Sequence, residues 1–540
     1  MKKERVLVNP FVFELNKFNT QNAEQLNAYD ELNSLDLNIP TKLDHLIDEL
    51  GKEPFRVVIL TGDAGDGKTR FCRKLIEGYR GVADYPELRW KETIEQPYII
   101  VYKDASAVPP RDMQKELAEI QDELSSEDGL SHHSVIAVNE GKLRDLCGNG
   151  LEIIWDKIQE RIDTPSDLHT SNLVVVNLNH RNIAAGDSVD ESIVGKAILV
   201  VTDPSYWEER ESENERCLNC SKHTYCSIWG NVQELRKNVV RERLWQLFVI
   251  HSYLDPGTES SHITMRGLLA GLSHIITGNL DCGNVSQESG RRYFNNIFSN
   301  DGNTVIRQLC RIDVSKTSSL EIDRQIYSEL SKEDVDNEID RMKLYDERKR
   351  EFYLTEDSMQ KAISMLPFKY FHDFGKIVSG RADDDELSLA TKRILRALNR
   401  LESPHSRNDF FEQWVIGKTN NSRKHSIIQG RDIANSHFAL KINDQLFPYI
   451  ETQPTRLRLC LEGNPLVEPL DIDLLLYELL MHTADGFVSR QPYELLFSDI
   501  DRFRQCVMGT FGGESFYVSD PTSGERKQID VSDNKLIYRR

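Results

Sequence analysis

One string limits what this chain can fold into more than any other: Gly62-Asp63-Ala64-Gly65-Asp66-Gly67-Lys68-Thr69, which fits the pattern GxxxxGK[ST]. It follows Phe55–Thr61 (FRVVILT), a short apolar run that reads as a strand buried on both faces. It runs directly into TRFCRKLIEGY, which has helical texture. A glycine-rich loop between such a strand and such a helix gathers backbone N–H groups and a helix N-terminus around one point, which makes a cradle for phosphate. Glycine is needed where the backbone must come close to the ligand. The pattern predicts that Gly62 to Gly67 and the neighbouring Arg70 line the site. Lys68 then reaches the β- and γ-phosphates and Thr69 ligates Mg²⁺. ATP with Mg²⁺ is the expected ligand. Asp63 and Asp66 carry the wrong charge for phosphate, so their side chains are expected to point away while the N–H groups face inward.

Similar apolar runs recur at 98–102 (YIIVY), 135–138 (VIAV), 173–176 (LVVV) and 197–201 (AILVV), with helical segments such as 113–124 (MQKELAEIQDEL) between most of them. Five buried strands alternating with helices predict a parallel sheet covered on both faces, an α/β fold of the P-loop NTPase (ASCE or AAA-like) kind. Upstream, Leu43, Leu46, Ile47 and Leu50 share one helical face. Texture divides the chain into an N-terminal segment (1–39), an ATPase core (40–205), a Cys-cluster and helical lid region (206–300), a helical domain (301–435) and a mixed α/β C-terminal domain (436–540). Residues 231–254 read as one long helix, and 331–350 as a solvated helix or a linker. In the last segment, 456–461 (RLRLCL) alternates like a half-buried strand and 472–480 (IDLLLYELL) reads as a helix. Residues 517–531 read as two strands around a turn at Pro521–Gly524.

Nucleotide hydrolysis needs a carboxylate on the Mg²⁺ side and a group that orients water. No apolar run ends in Asp-Glu, so two registers remain open. In one, YIIVYKDAS supplies Asp104 as the Mg²⁺-side carboxylate and VIAVNEG supplies Asn139 as a polar sensor of the γ-phosphate. In the other, YIIVY is a second, non-catalytic strand, Glu140 is the general base and Asn177 in LVVVNLNHR is the sensor. Strand ends also carry Asn and Asp as helix caps and turn residues. Arg266, in the apolar stretch HITMRGLLAGLSHIITG, reads as a lid-borne sensor or as a snorkelling side chain. Arg181 is a second candidate for a finger acting across an oligomer.

Cys217, Cys220 and Cys226, with His223 among them, put four metal-ligating side chains within ten residues. CxxC spacing suits tetrahedral Zn²⁺, with Cys282 or His223 as the fourth ligand; an iron–sulfur cluster is the less favoured alternative. The other Cys are scattered, which fits a reduced protein without a disulfide framework. No apolar run nears the ~20 residues of a membrane helix. The opening MKKERVLVNPFVFELNKF is interrupted by Asn9, Pro10 and Glu14, so a cytoplasmic protein is expected. With 67 Lys and Arg against 87 Asp and Glu, the net charge of −20 opposes a general nucleic-acid coat protein. A local basic patch, or a partner that supplies the DNA contact, is compatible with it.

The string GDxGDGK, followed by a strand ending in Asp104-Ala105-Ser106 and a strand running into Asn139-Glu140-Gly141, resembles the DptF-type ATPases. These are P-loop proteins of the DNA phosphorothioation-dependent restriction system in bacterial defence islands. The likeness spans about residues 56–145 and is weaker in NLNHR and the Cys cluster. It implies nucleotide contacts at Gly67, Lys68 and Thr69, with Asp104 and Asn139 nearby. Glu140 stands where the family often has an apolar residue, and Thr69 where Ser is common. The implied activity is ATP hydrolysis coupled to assembly or activation of a restriction complex. Other subunits of that complex would be partners, DNA would be reached through them, and a homo-oligomer is compatible. No PD-(D/E)xK or HNH constellation is present, so cutting is expected of a partner. Two rivals stand beside this: a non-hydrolysing, oligomerising nucleotide switch, and a C-terminal DNA reader built on the hairpin at 517–531.

Overall fold

A computed structural model of the chain describes residues 8–19, 37–52, 54–81, 90–126, 129–148, 150–162, 172–208, 217–254, 262–286, 291–333, 337–402, 411–412, 415–416, 428–430, 432–433, 435–442, 447–487, 494–510, 515–519, 526–532 and 535–539. The chain forms two compact units. One contains 1–252, 257–367 and 445–453; the other contains 253–256, 368–444 and 454–540. The segments 40–205 and 206–300, apart from 253–256, therefore lie in the first unit, and the main change of unit falls near residue 367.

The first unit is built on β1 (Val57–Thr61), β2 (Lys91–Ile94), β3 (Ile99–Tyr102), β4 (His133–Ala137) and β5 (Leu173–Asn177), in the order β2-β3-β4-β1-β5. β1 lies parallel to both β4 and β5, with Ile59 opposite Ile136 and Val175, and β3 lies parallel to β4. Its helices include α1 (Pro10–Lys17), α2 (His45–Glu49), α3 (Lys68–Arg80), α4 (Pro110–Ser125), α5 (Glu140–Cys147), α6 (Glu152–Ile162), α7 (Ile193–Val201), α8 (Pro204–Trp207), α9 (Ser227–Leu235), α10 (Asn238–Leu254, whose last residues enter the second unit) and α11 (Met265–Thr277), with further helices between 293 and 364. Alternation along β1 divides its side chains between two cores. Val58 and Leu60 pack with Leu43, Leu46, Leu50, Phe71 and Leu75, whereas Val57 and Ile59 pack with Met113, Leu117, Leu143 and Ile154. Both faces of the sheet are thus covered, which is why its central strands read as unbroken apolar runs.

Two strand assignments change. Residues 197–201 (AILVV) are the end of helix α7, not a strand. Ser192 caps that helix by accepting the Gly195 N–H at 3.0 Å, and a Cβ at Gly195 would sit 1.8 Å from the Val189 carbonyl oxygen. A run apolar on every side carries no period, so local capping and packing decide its form. The fifth strand is β2, which is antiparallel to β3, so the sheet is mostly rather than wholly parallel. Its sequence, KETI, is a charged edge strand of the kind that resists pairing with other chains. The long pattern at 231–254 is two helices, α9 and α10, parted at Arg236–Lys237. The charged stretch after 331 carries a helix over Glu338–Thr355.

The second unit holds a three-stranded antiparallel sheet (Phe438–Ile442, Leu457–Leu461, Leu470–Ile472) and helices Asp384–Glu402, Leu474–Ala484 and Glu494–Thr510. A further antiparallel sheet joins Ser515–Ser519, Arg526–Ser532 and Lys535–Arg539 with Ile428–Gly430 and Val415–Ile416. The strands around 517–531 are present, while Pro521–Gly524 lies outside the described residues. The helical reading of 301–435 ends at Glu402, because short strands occupy parts of 411–433.

At the start of β4, the buried His133 ring accepts the Arg56 N–H on Nδ1 at 3.0 Å. Burial, aided by the Arg56 charge, lowers its pKa to about 4. The unfolded chain takes this proton near the ordinary His value, so it binds more protons between the two values and stability falls as pH drops through that window. Between about pH 7 and about pH 4.5, His133→Asn, which keeps an acceptor for Arg56, is expected to lose about 2 kcal/mol less than wild type in equilibrium unfolding. An equal acid loss in both proteins contradicts this.

Candidate functional site

Loops that follow the parallel strands of an open α/β sheet gather at one edge, where such folds bind ligands. At this edge Gly62–Gly67 joins β1 to α3. Gly62, Gly65 and Gly67 have φ of +138°, +98° and +94°. At Gly62 and Gly65 space also excludes a side chain: a Cβ would lie 2.8 Å from an Asp66 carboxylate oxygen at the first and 2.9 Å from Arg266 Cβ at the second. Gly67 is the left-handed residue that starts α3, with no side-chain cap on the helix N-terminus. Ala64 is exposed, Thr69 is the second residue of α3, and Arg70 donates to Asn38 Oδ1 at 2.9 Å.

Lys68 is buried. Its Nζ donates to the carbonyl oxygens of Gly62 at 2.7 Å and Asp63 at 2.8 Å. Burial lowers its pKa, the charges of Asp66, Asp63 and Asp104 oppose that, and the Arg266 charge adds to it. Asp66 does not point away as expected. Its Oδ2 accepts the Asp63 N–H at 2.7 Å and its Oδ1 lies 2.8 Å from His262 Nε2. The carboxylate is turned onto the loop because it satisfies a backbone N–H there and meets an imidazole from outside it. Asn179 Oδ1 accepts the same Asp63 N–H at 3.0 Å.

Two arginines frame the loop. Arg181 is buried: its Nη1 donates to the Asp66 carbonyl at 2.9 Å, and its Nε lies 3.2 Å from Glu451 Oε2, each side chain 3% exposed. Its guanidinium is therefore engaged within its own chain. Glu451 comes from a segment that returns to this unit; its Oε1 accepts the Lys42 N–H at 2.7 Å and its carbonyl the Asn182 N–H at 2.7 Å. Arg266, on the first turn of α11, donates its backbone N–H to the Gly65 carbonyl at 3.2 Å. Its charge reaches Lys68, so it stands beside the loop rather than at a remote surface.

The carboxylate candidates lie at the same edge. Because β2 is the second strand, YIIVY is the third and VIAV the fourth, which removes the strand count behind the Glu140–Asn177 register. Asp104 is exposed just past β3, and its Oδ1 accepts the Ser106 N–H at 3.1 Å. Ser106 Oγ accepts the Asn139 N–H at 2.9 Å, so the ends of β3 and β4 are tied together. Asn139 precedes α5, makes no side-chain cap there, and is exposed; Glu140 opens that helix. Asn177 is buried at the end of β5, where its Oδ1 accepts the Asn179 N–H at 3.1 Å, a turn-forming role. Sequence reasoning missed His262, Asn179 and Glu451, whose partners are distant along the chain and carry no spacing signal.

At the Cys cluster, successive turns run from Cys217 to Tyr225, and Lys222 Nζ donates to the carbonyls of Cys282, Gly283 and Val285 at 3.2, 2.7 and 2.8 Å. None of the nine cysteines forms a disulfide. His223 sets Nδ1 2.9 Å from the Cys217 carbonyl and packs its ring on Trp229. Among the described residues no group of three or more His, Cys, Asp or Glu side chains stands ready to hold a metal ion. Among them, too, no helix is long and apolar enough to cross a membrane.

In comparisons with known proteins, no family model, no curated protein and no solved structure matches this chain.

Breaking one side of a buried ion pair strands the other charge, at a cost of about 3–5 kcal/mol. Arg181→Met is therefore expected to destabilise the isolated chain by about 3 kcal/mol in denaturant unfolding, and adding Glu451→Met should recover part of it. A stable Arg181→Met that fails only when chains assemble would favour the finger reading instead.

Proposed function

We propose that this chain is a P-loop ATPase, and that Gly62–Thr69 binds ATP with Mg²⁺. The carrying observation is the state of Lys68. Its ammonium is buried, held by two carbonyls of the loop, and among the described residues no carboxylate lies within ion-pair reach of it. A positive charge so held, at an uncapped helix N-terminus, suits a polyphosphate. In this reading Lys68 offsets charge on the β- and γ-phosphates and Thr69 meets Mg²⁺. The strand order favours Asp104 as the Mg²⁺-side carboxylate and Asn139 as the γ-phosphate sensor, with Glu140 the alternative base. Arg266 would add positive charge from the same chain.

The biological setting proposed is a bacterial DNA restriction or anti-phage complex. The supporting feature is the likeness of GDxGDGK, Asp104-Ala105-Ser106 and Asn139-Glu140-Gly141 to DptF-type ATPases. The net charge of −20 favours DNA contact through partner subunits. The second reading is a nucleotide switch that binds without turnover. What favours it is Asp104, whose Oδ1 is engaged with its own turn and which is not followed by Glu.

Phosphate release at steady state, with and without duplex DNA, separates the two. Lys68→Ala is expected to fall by about 100-fold or more, the usual effect of removing a group that stabilises transition-state charge. Asp104→Ala should fall with it, while Glu140→Ala keeps most of the rate. Loss in Glu140→Ala with Asp104→Ala active would transfer the role to Glu140. Tight binding by a wild-type protein that releases no phosphate would favour the switch.

A further inference from the structure

We propose that Asp66 and His262 form a latch that holds the glycine-rich loop against the start of α11, and that a triphosphate must open this latch to seat. The proposal rests on the ATPase reading and adds a control to the same site. An anion already lies on the loop, and it is the chain's own. The Asp66 side chain is buried; one carboxylate oxygen takes the Asp63 N–H at 2.7 Å and the other lies 2.8 Å from His262 Nε2. A carboxylate only accepts, so Nε2 carries the hydrogen of that contact. Of the charges that act on the Lys68 ammonium, that of Asp66 is the strongest. Asp66 therefore draws on the positive charge that a polyphosphate would use, and it repels the phosphates as well.

His262 holds that carboxylate from outside the loop. Its side chain is buried, and among the described residues Asp66 is the ring's one polar partner, because Nδ1 is buried without any. The same short segment meets the loop at two further points. The Arg266 N–H donates to the Gly65 carbonyl at 3.2 Å, and a Cβ at Gly65 would lie 2.9 Å from Arg266 Cβ and 3.4 Å from Thr264 Oγ1. Thr264 caps α11 by accepting the Gly267 N–H at 3.0 Å. Every residue from Leu268 to Thr277 is buried, so the part able to shift is the segment ahead of them and not the body of the helix.

Opening the latch has compensations. The ring nitrogen left without a partner gains water, and the carboxylate leaves the neighbourhood of the incoming phosphates. A ligand that binds only after a contact opens has its apparent affinity lowered by the fraction of chains already open, so removing the contact raises that affinity. By the same linkage, bound ATP loosens the 262–266 segment.

The test is calorimetric titration of the full-length chain with ATP and Mg²⁺, beside hydrogen exchange of the peptide spanning 262–268 with and without ATP. Asp66→Asn keeps an acceptor for the Asp63 N–H but carries no charge, and is expected to bind ATP about tenfold or more tighter than wild type. His262→Ala should bind about threefold or more tighter, while His262→Gln, whose amide can still donate to Asp66, returns to the wild-type affinity. Combining Asp66→Asn with His262→Ala should be no tighter than Asp66→Asn alone, because His262 acts through the carboxylate. In wild type, ATP should speed exchange of the 262–268 amides. Unchanged or weaker ATP binding by a folded Asp66→Asn or His262→Ala, or exchange that ATP leaves unchanged or slows, would overturn the latch while leaving the phosphate site in place. No ATP binding by either wild type or Asp66→Asn would instead overturn the ATPase reading, and the latch with it.

Discussion

The glycine-rich loop keeps its shape through a chain of buried polar contacts, and the candidate site depends on that chain. Asp66 sits at its centre. Its carboxylate takes the Asp63 N–H and the His262 ring, and its carbonyl takes the Arg181 guanidinium. Arg181 in turn faces Glu451, which accepts the Lys42 N–H and, through its carbonyl, the Asn182 N–H. Buried charges are tolerated only when paired and hydrogen-bonded, so each member holds the next in place. The loop is thus preorganised by segments far apart in sequence. A cradle of backbone N–H groups needs such support, because its geometry cannot rest on glycines that are free to adopt many conformations.

An acidic side chain folded onto a loop proposed to bind phosphate has a mechanistic consequence. A triphosphate arriving there meets the Asp66 carboxylate near the N–H groups it would use, with His262 and the first turn of α11 beside it. On the ATPase reading, nucleotide binding and the position of the 262–266 segment are then coupled, since both compete for the Asp66–Gly65 region. Two surfaces that share one set of contacts bias each other by the same free energy in both directions.

Much of this was legible in the chain. β1, β3, β4 and β5 were readable because strands buried on both faces must be apolar at every position, and the loop because its spacing is mechanistic. The places of Asp104 and Asn139, just past the ends of β3 and β4, were readable because they follow such strands. Other features were hidden for definite reasons. β2 is a short, charged edge strand that looks like loop. Residues 197–201 are apolar on every side, so strand and helix periods coincide. The Asp66–His262 and Arg181–Glu451 contacts join residues no local pattern relates, and Glu451 reaches the loop only because its segment returns to the first unit. The outward orientation expected of Asp66 failed because a backbone N–H and an imidazole, both invisible in the motif, compete for its carboxylate.

The central claim is that Lys68 and the Gly62–Thr69 backbone form a polyphosphate site, and calorimetric titration of the purified chain with ATP, ADP and AMP in the presence of Mg²⁺ tests it most directly. Recognition through a cradle around the β-phosphate predicts that ATP and ADP bind while AMP does not. It also predicts that Lys68→Ala weakens ATP binding by about tenfold or more, at least ~1.4 kcal/mol. AMP binding as tightly as ATP, or unchanged ATP affinity in a folded Lys68→Ala, would contradict the account.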